Sequence, residues 1–133
     1  MKKTFLISII NLLCLFATAI PGLAQDLVII APDRTFLGLV ARNRNRCSSY
    51  DSDCVWNTLS PYGTEYSSRS IFNNYSQYGS ELGRYSVCNA NISYDETPAL
   101  YIVDGNQVAF FDVIGPDSET KIGYDIYVSA CFR

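Results

Sequence analysis

Histidine is absent from all 133 residues. That removes the imidazole base of Ser-His-Asp and Cys-His catalysis and the commonest nitrogen ligand of metals. No Cys-x-x-Cys pair exists either, so a zinc site has no ligand set. No glycine-rich phosphate loop is present. No apolar run reaches the roughly 20 residues that span a bilayer. An excess of basic residues is also missing: 10 Lys and Arg stand against 13 Asp and Glu. Nucleic acid and anionic lipid are therefore poor partners by charge. We expect no cofactor and no metal, and the chemistry left open is that of carboxylates, hydroxyls and aromatic rings.

What is present begins with an export address. Lys2 and Lys3 form a positive start, Phe5 to Ile20 is uncharged and mostly apolar, and Pro21-Gly22 breaks the run. Gly22-Leu23-Ala24 puts small residues where a signal peptidase reads. We expect residues 1–25 to be a signal peptide, cut after Ala24 or Gln25. Residues 26–133 then form a single exported domain, periplasmic or extracellular, with no membrane span of its own. Loss of Lys2 and Lys3 leaves 8 basic against 13 acidic residues, a net charge of −5.

Cys14 leaves with the signal, and Cys47, Cys54, Cys88 and Cys131 remain. Four cysteines in a small exported domain read as two disulfides with three pairings open. We favour Cys47 with Cys54, clipping one loop, and Cys88 with Cys131. The second would tie the middle of the chain to its end, worth roughly 3–4 kcal/mol in the chain-entropy picture.

The middle of the chain repeats itself at a shift of 16. Asn57, Asn73 and Asn89 share one column, Val55, Ile71 and Val87 another, and Trp56, Phe72 and Cys88 lie between. Tyr62 and Tyr78, Gly63 and Gly79, Glu65 and Glu81, Thr64 and Ser80 also coincide. Asp51, Ser67 and Gly83 start the units of a repeat region over 51–92. Like units predict like local conformation. Asp, Ser and Gly suit a helix N-cap. Asn six residues later suits a C-terminal turn in left-handed geometry. Each unit therefore reads as one or two helical turns ending in a Tyr-Gly turn whose glycine supplies positive φ.

Hairpins flank the repeats. Leu27–Ile30, a turn at Pro32-Asp33-Arg34 and Thr35–Val40 form the first. Leu100–Val103, Asp104-Gly105-Asn106 and Val108–Val113 form the second, with Asp-Gly the stronger turn signal. From Lys121 to Phe132 the pattern fits a strand (Ile122, Tyr124, Ile126, Val128) and a helix (Ile122, Ile126, Ala130) equally. The expected fold class is α+β: one small domain, two β-hairpins flanking short helical turns, stapled by disulfides.

The run Ser70-Ile71-Phe72-Asn73-Asn74-Tyr75-Ser76-Gln77-Tyr78-Gly79-Ser80, with Tyr66-Ser67 before it, resembles the repeat of a family of small exported bacterial proteins common in cyanobacteria. Its members carry tandem N-x-Y-x-x-Y-G-S motifs after a strand pair like Phe36-Leu37-Gly38. The similarity spans about residues 28 to 105. It implies a shared fold and an exported life, and it carries no activity. The first unit departs from the motif, with Leu59 for the first tyrosine and Thr64 for the serine, and Cys54 stands in a serine column.

Four groups of residues are candidates for function. Ten tyrosines, six of them from Tyr62 to Tyr94, offer rings with polar tips suited to wet surfaces and sugar stacking. Tyr62, Tyr66, Tyr75 and Tyr78 are the candidate platform, against the plainer alternative that they pack between repeats. Glu65 and Glu81 are the carboxylate pair a glycoside hydrolase would need, or simply two solvated surface acids. Arg42, Arg44 and Arg46 would share one face of an extended strand and meet a carboxylate or phosphate. They also fit a solvated loop leaving that strand. Asp51 and Asp53 offer two calcium oxygens, too few for a full site. Trp56 is assigned to the core.

We expect a non-catalytic exported envelope module that uses its tyrosine-rich turns against envelope glycan or an exported protein. A small secreted inhibitor or effector of another protein is the alternative, and a carboxylate-based hydrolase comes third.

Overall fold

A computed structural model describes residues 25–132. The expected signal peptide, apart from Gln25, lies outside the described residues. Strands β1 (Gln25–Ile30) and β2 (Phe36–Arg42) form the first hairpin. A two-residue β3 (Asn45–Arg46) folds back on β2 across Asn43 and Arg44, both at positive φ. Strands β4 (Ala99–Asp104) and β5 (Gln107–Val113) form the second hairpin, turning at Gly105. The hairpins merge because β1 also pairs antiparallel with β4, giving one five-stranded sheet in the order β3-β2-β1-β4-β5. Helix α1 (Lys121–Cys131) closes the chain. The fold is mainly β, with two disulfides and one helix among the described residues.

Alternation along β1 explains the layering, since successive strand residues face opposite sides. Ile29 is fully buried in the main core with Leu37, Val40 and Leu100 of the sheet, and Leu27 packs against it. The repeat column Val55, Ile71 and Val87 lies on that core, as do Ile126 and Ala130 of α1. Each such buried aliphatic contributes about 1.5–3 kcal/mol. Val28 and Leu39 face the other way, into a smaller cluster with Cys47 and Cys54.

Between the hairpins the helical expectation fails. Residues 51–92 form no helix; they form consecutive turns three residues long. The amides of Cys54, Asn57, Ser60 and Gly63 each donate to the carbonyl three residues back, and Ser70, Asn73, Ser76 and Gly79 do the same in the next unit. The reason is the residue at each corner. Its side-chain oxygen accepts the amide two residues ahead: Asn57 from Leu59, Ser60 from Tyr62, Ser70 from Phe72, Asn73 from Tyr75, Ser76 from Tyr78, all at 2.9–3.2 Å. Such local bonds compete with the helical ladder and here replace it. Five triplets and one extra residue make the period of 16, the extra step falling at Gly63-Thr64 and Gly79-Ser80.

Two further details differ from expectation. The repeated asparagines do not adopt left-handed geometry. Their Nδ2 groups instead donate to the carbonyls of Asp51, Ser67 and Gly83, six residues back, at 2.9–3.0 Å. Gly63 and Gly79 do not take positive φ either. They are needed for room: a Cβ would lie 2.1 Å from the Asn57 oxygen at one and 2.3 Å from the Ile71 oxygen at the other.

The repeats lean on β2. The Leu39 amide donates to Asp53 and the Val55 amide to Leu39, at 2.7 and 2.9 Å. Gly38 lets them approach, since a Cβ there would sit 2.4 Å from Val55. Cys47–Cys54 clips the first unit to β3, and Cys88–Cys131 ties the last to α1, the pairing favoured above. The second bridge spans 43 residues, worth about 4 kcal/mol.

The segment left open between strand and helix is helical because its start is capped. Thr120 accepts the Gly123 amide, and buried Asp112 holds the loop before it, taking bonds from the Ser118 and Thr120 hydroxyls and the Glu119 and Thr120 amides. Burial alone would raise this carboxyl, but the hydroxyl and amide donors outweigh it and lower it from 3.8 to about 2. A depressed carboxyl stabilises the fold above its unfolded value, and that contribution is lost as pH falls through the folded one.

Two outcomes are expected. Gly79→Ala, read by urea unfolding, should cost about 2–3 kcal/mol. Asp112→Asn should cost about 2 kcal/mol at neutral pH and flatten the stability profile between pH 4 and 2. A profile unchanged in the variant would contradict the role given to Asp112.

Candidate functional site

Corner bonding decides which repeat side chains are presented. The residue two places after a Ser, Thr, Asn or Asp corner is fixed through its amide, and some of these tips face inward and others outward. Phe72 and Tyr78 are buried while Tyr75, between them, is 94% exposed. The outward tips are Tyr50, Leu59, Tyr66, Tyr75 and Leu82, all 85–94% exposed. Tyr50, Tyr66 and Leu82 are spaced by 16 and form one column; Leu59 and Tyr75 begin a second that continues at exposed Asn91. Their amides are held by Ser48, Asn57, Thr64, Asn73 and Ser80 at 2.9–3.3 Å.

The four candidate tyrosines thus divide. Tyr66 and Tyr75 project from the surface. Tyr62 and Tyr78 belong to the core, 9% and 4% exposed. Tyr62 packs edge-on against Phe36 at 5.1 Å and carries the Arg69 guanidinium 5.1 Å from its ring centre. Tyr78 stacks on Tyr85 at 6.3 Å, the repeat-equivalent contact. The Tyr78 hydroxyl donates to Asp33 at 2.8 Å, tying the second unit to the first hairpin's turn. Burial, the largest single influence, raises the Asp33 carboxyl, and the bonds from Tyr78 and Thr35 together more than reverse this, leaving it below its ordinary value. Burial, with Asp33 nearby, pushes the Tyr78 phenol up.

Glu65 and Glu81 are both exposed. Glu81 borders a groove of about 400 Å³ with Tyr75, Leu82 and the Cys88–Cys131 bridge, and Glu65 is not among the residues lining it. The three arginines do not share one face of an extended strand. Arg42 pairs with Asp51 at 3.0 Å and Asp26 at 3.4 Å, Arg44 lies in the β2–β3 turn, and Arg46 stacks on Trp56 at 3.8 Å. Asp51 spends its carboxylate on Arg42 and on the Asp53 amide, which lower its pKa. No group of three or more His, Cys, Asp or Glu among the described residues is arranged to hold a metal. Trp56 packs against the core and donates its indole N–H to the Val40 carbonyl.

Tyr50 and Leu82 were not among the candidates read from the sequence, and Leu59 entered only as a departure from the motif. Their signal is there: each stands two places after a Ser or Asn corner and in register with Tyr66 or Tyr75.

Comparison with family models gives no match, and neither characterised proteins nor solved structures include a similar chain. Two disulfides fit an exported protein, and among the described residues no helix is long and apolar enough to cross a membrane.

The division of the tyrosines has a measurable consequence. Tyr62→Ala should cost about 3–4 kcal/mol in equilibrium unfolding and Tyr78→Phe about 1–2 kcal/mol through its charged acceptor. Tyr66→Ala and Tyr75→Ala should each stay within about 0.5 kcal/mol of the parent.

Proposed function

We propose that the protein is a non-catalytic exported module of the cell envelope that binds envelope glycan through its outward turn tips. The observation that carries this reading is the pair of columns Tyr50, Tyr66, Leu82 and Leu59, Tyr75. Large apolar side chains are rarely left almost fully in water, and a spaced set of them on a rigid support marks a contact surface. Tyrosine pairs an apolar face with a polar edge at small entropic cost. Repetition at 16 residues matches a ligand that itself repeats. The tips are pre-ordered by their corner bonds, so binding need not freeze the backbone. The resemblance of Asn73 to Ser80 to the repeats of exported bacterial proteins supports the location.

Sedimentation with insoluble envelope glycan tests the proposal. The parent should pellet, and a Tyr66→Ala/Tyr75→Ala variant of equal stability should stay in solution. A parent that never pellets, or a double variant that pellets as well as it, would remove glycan as the ligand.

A further inference from the structure

A second surface, away from the repeats, has the features of a small-molecule site. The groove encloses about 590 Å³ against the core face of the sheet, within the 300–1,000 Å³ or so typical of ligand pockets. Its floor is one rung of the sheet, since Leu27 pairs with Ala41 on β2 and with Ile102 on β4. Phe111 and Ile122 form walls, and Arg44 and Arg46 stand at the rim. Phe111 falls at the irregularity in β5, where Tyr101 pairs with Phe110 but Leu100 with Asp112. That irregularity leaves it without a partner on β4 and 39% exposed.

Two arginines and one aspartate are the charged residues lining the groove. Arg44 is exposed, and among the described residues no ion pair engages it. Its backbone is at positive φ in the tight turn that joins β2 to β3. Arg46 is exposed and its guanidinium carbon lies 3.8 Å from the centre of the Trp56 ring. Asp26 also borders the groove; its Oδ2 pairs with Arg42 at 3.4 Å, and its buried Oδ1 accepts no hydrogen bond. In a chain that is acidic as a whole, an apolar trough ending in two guanidinium groups selects a ligand with an apolar body and an anionic head. Guanidinium matches carboxylate in geometry as well as charge.

We propose that this groove binds a single-chain amphipathic anion of the fatty-acid type. The chain lies along Leu27, Ala41 and Ile102, and the carboxylate meets Arg44 and Arg46. This is independent of the glycan reading, which rests on different residues.

Trp56 is the chain's one tryptophan and sits beneath Arg46, so it reports the site. The protein purified from an exporting host would be titrated with sodium decanoate, with decyltrimethylammonium and with acetate, following Trp56 fluorescence and, separately, calorimetry. Decanoate should bind one to one and change the Trp56 emission, while acetate does nothing and the cationic analogue binds at least about tenfold more weakly. Arg44→Ala should weaken decanoate about tenfold, Arg44→Lys less, and the distant Arg84→Ala not at all. Absence of decanoate binding, equal binding of the cationic analogue, or indifference to Arg44→Ala would each overturn the proposal. So would a groove filled by residues 1–24 of the same chain, seen as changed Leu27 and Phe111 resonances on removal of that segment and no response to decanoate.

Discussion

One short-range hydrogen bond organises the structure: a corner side-chain oxygen accepting the amide two residues ahead. Singly it contributes only about 0.5–1.5 kcal/mol net. Repeated at nearly every third residue from Ser48 to Asn89, it decides the backbone of a third of the protein. It also satisfies buried polar groups that would otherwise be costly. Ser70 and Ser86 are fully buried and each holds an amide. Even Cys54 keeps the corner role, its sulfur lying 3.4 Å from the Trp56 amide. The serine column thus tolerates cysteine because what the corner needs is an acceptor.

Turns of this kind have little core of their own. Each unit sends inward one aliphatic residue (Val55, Ile71 or Val87), the first two add Tyr62 and Tyr78, the second adds Phe72, and much of the remaining apolar contact comes from β1, β2, β4 and α1. The two disulfides clamp the first and last units to β3 and α1. Sheet and turns therefore depend on each other. The sheet supplies the core, and the turns cover the face that would otherwise be open to water.

Much of this was legible in the sequence. The hairpins read from alternation and from Asp104-Gly105, and the cysteine pairing seen was the one favoured among three, on the nearness of Cys47 to Cys54. The period of 16 was visible because Asn57, Asn73 and Asn89 recur. The triplet inside it was hidden, because Ser, Asn, Asp, Thr and Cys all serve as corners, Gly83 fills one place with no side chain to accept, and no single letter repeats every three places. Helical turns were inferred from residues that cap helices, and the same side-chain chemistry stabilises turns that never become helices. Tyr75 and Tyr78 look alike in the motif, yet one is outside and one inside. That difference arises only from the way successive triplets face, which no local spacing reveals. The groove at Arg44 was beyond reach for the same reason, since Leu27, Ala41 and Ile102 meet only through strand pairing.

Outward tips on a fixed backbone are the premise of the functional reading. Amide hydrogen exchange tests that premise most directly. The amides of Leu59, Tyr66, Tyr75 and Leu82 belong to residues whose side chains stand in solvent, and none is in a helix or strand. If corner oxygens hold them, these amides exchange far more slowly than an unstructured chain, and Asn73→Ala releases Tyr75 selectively. Exchange at the unstructured rate in the parent protein would contradict the account.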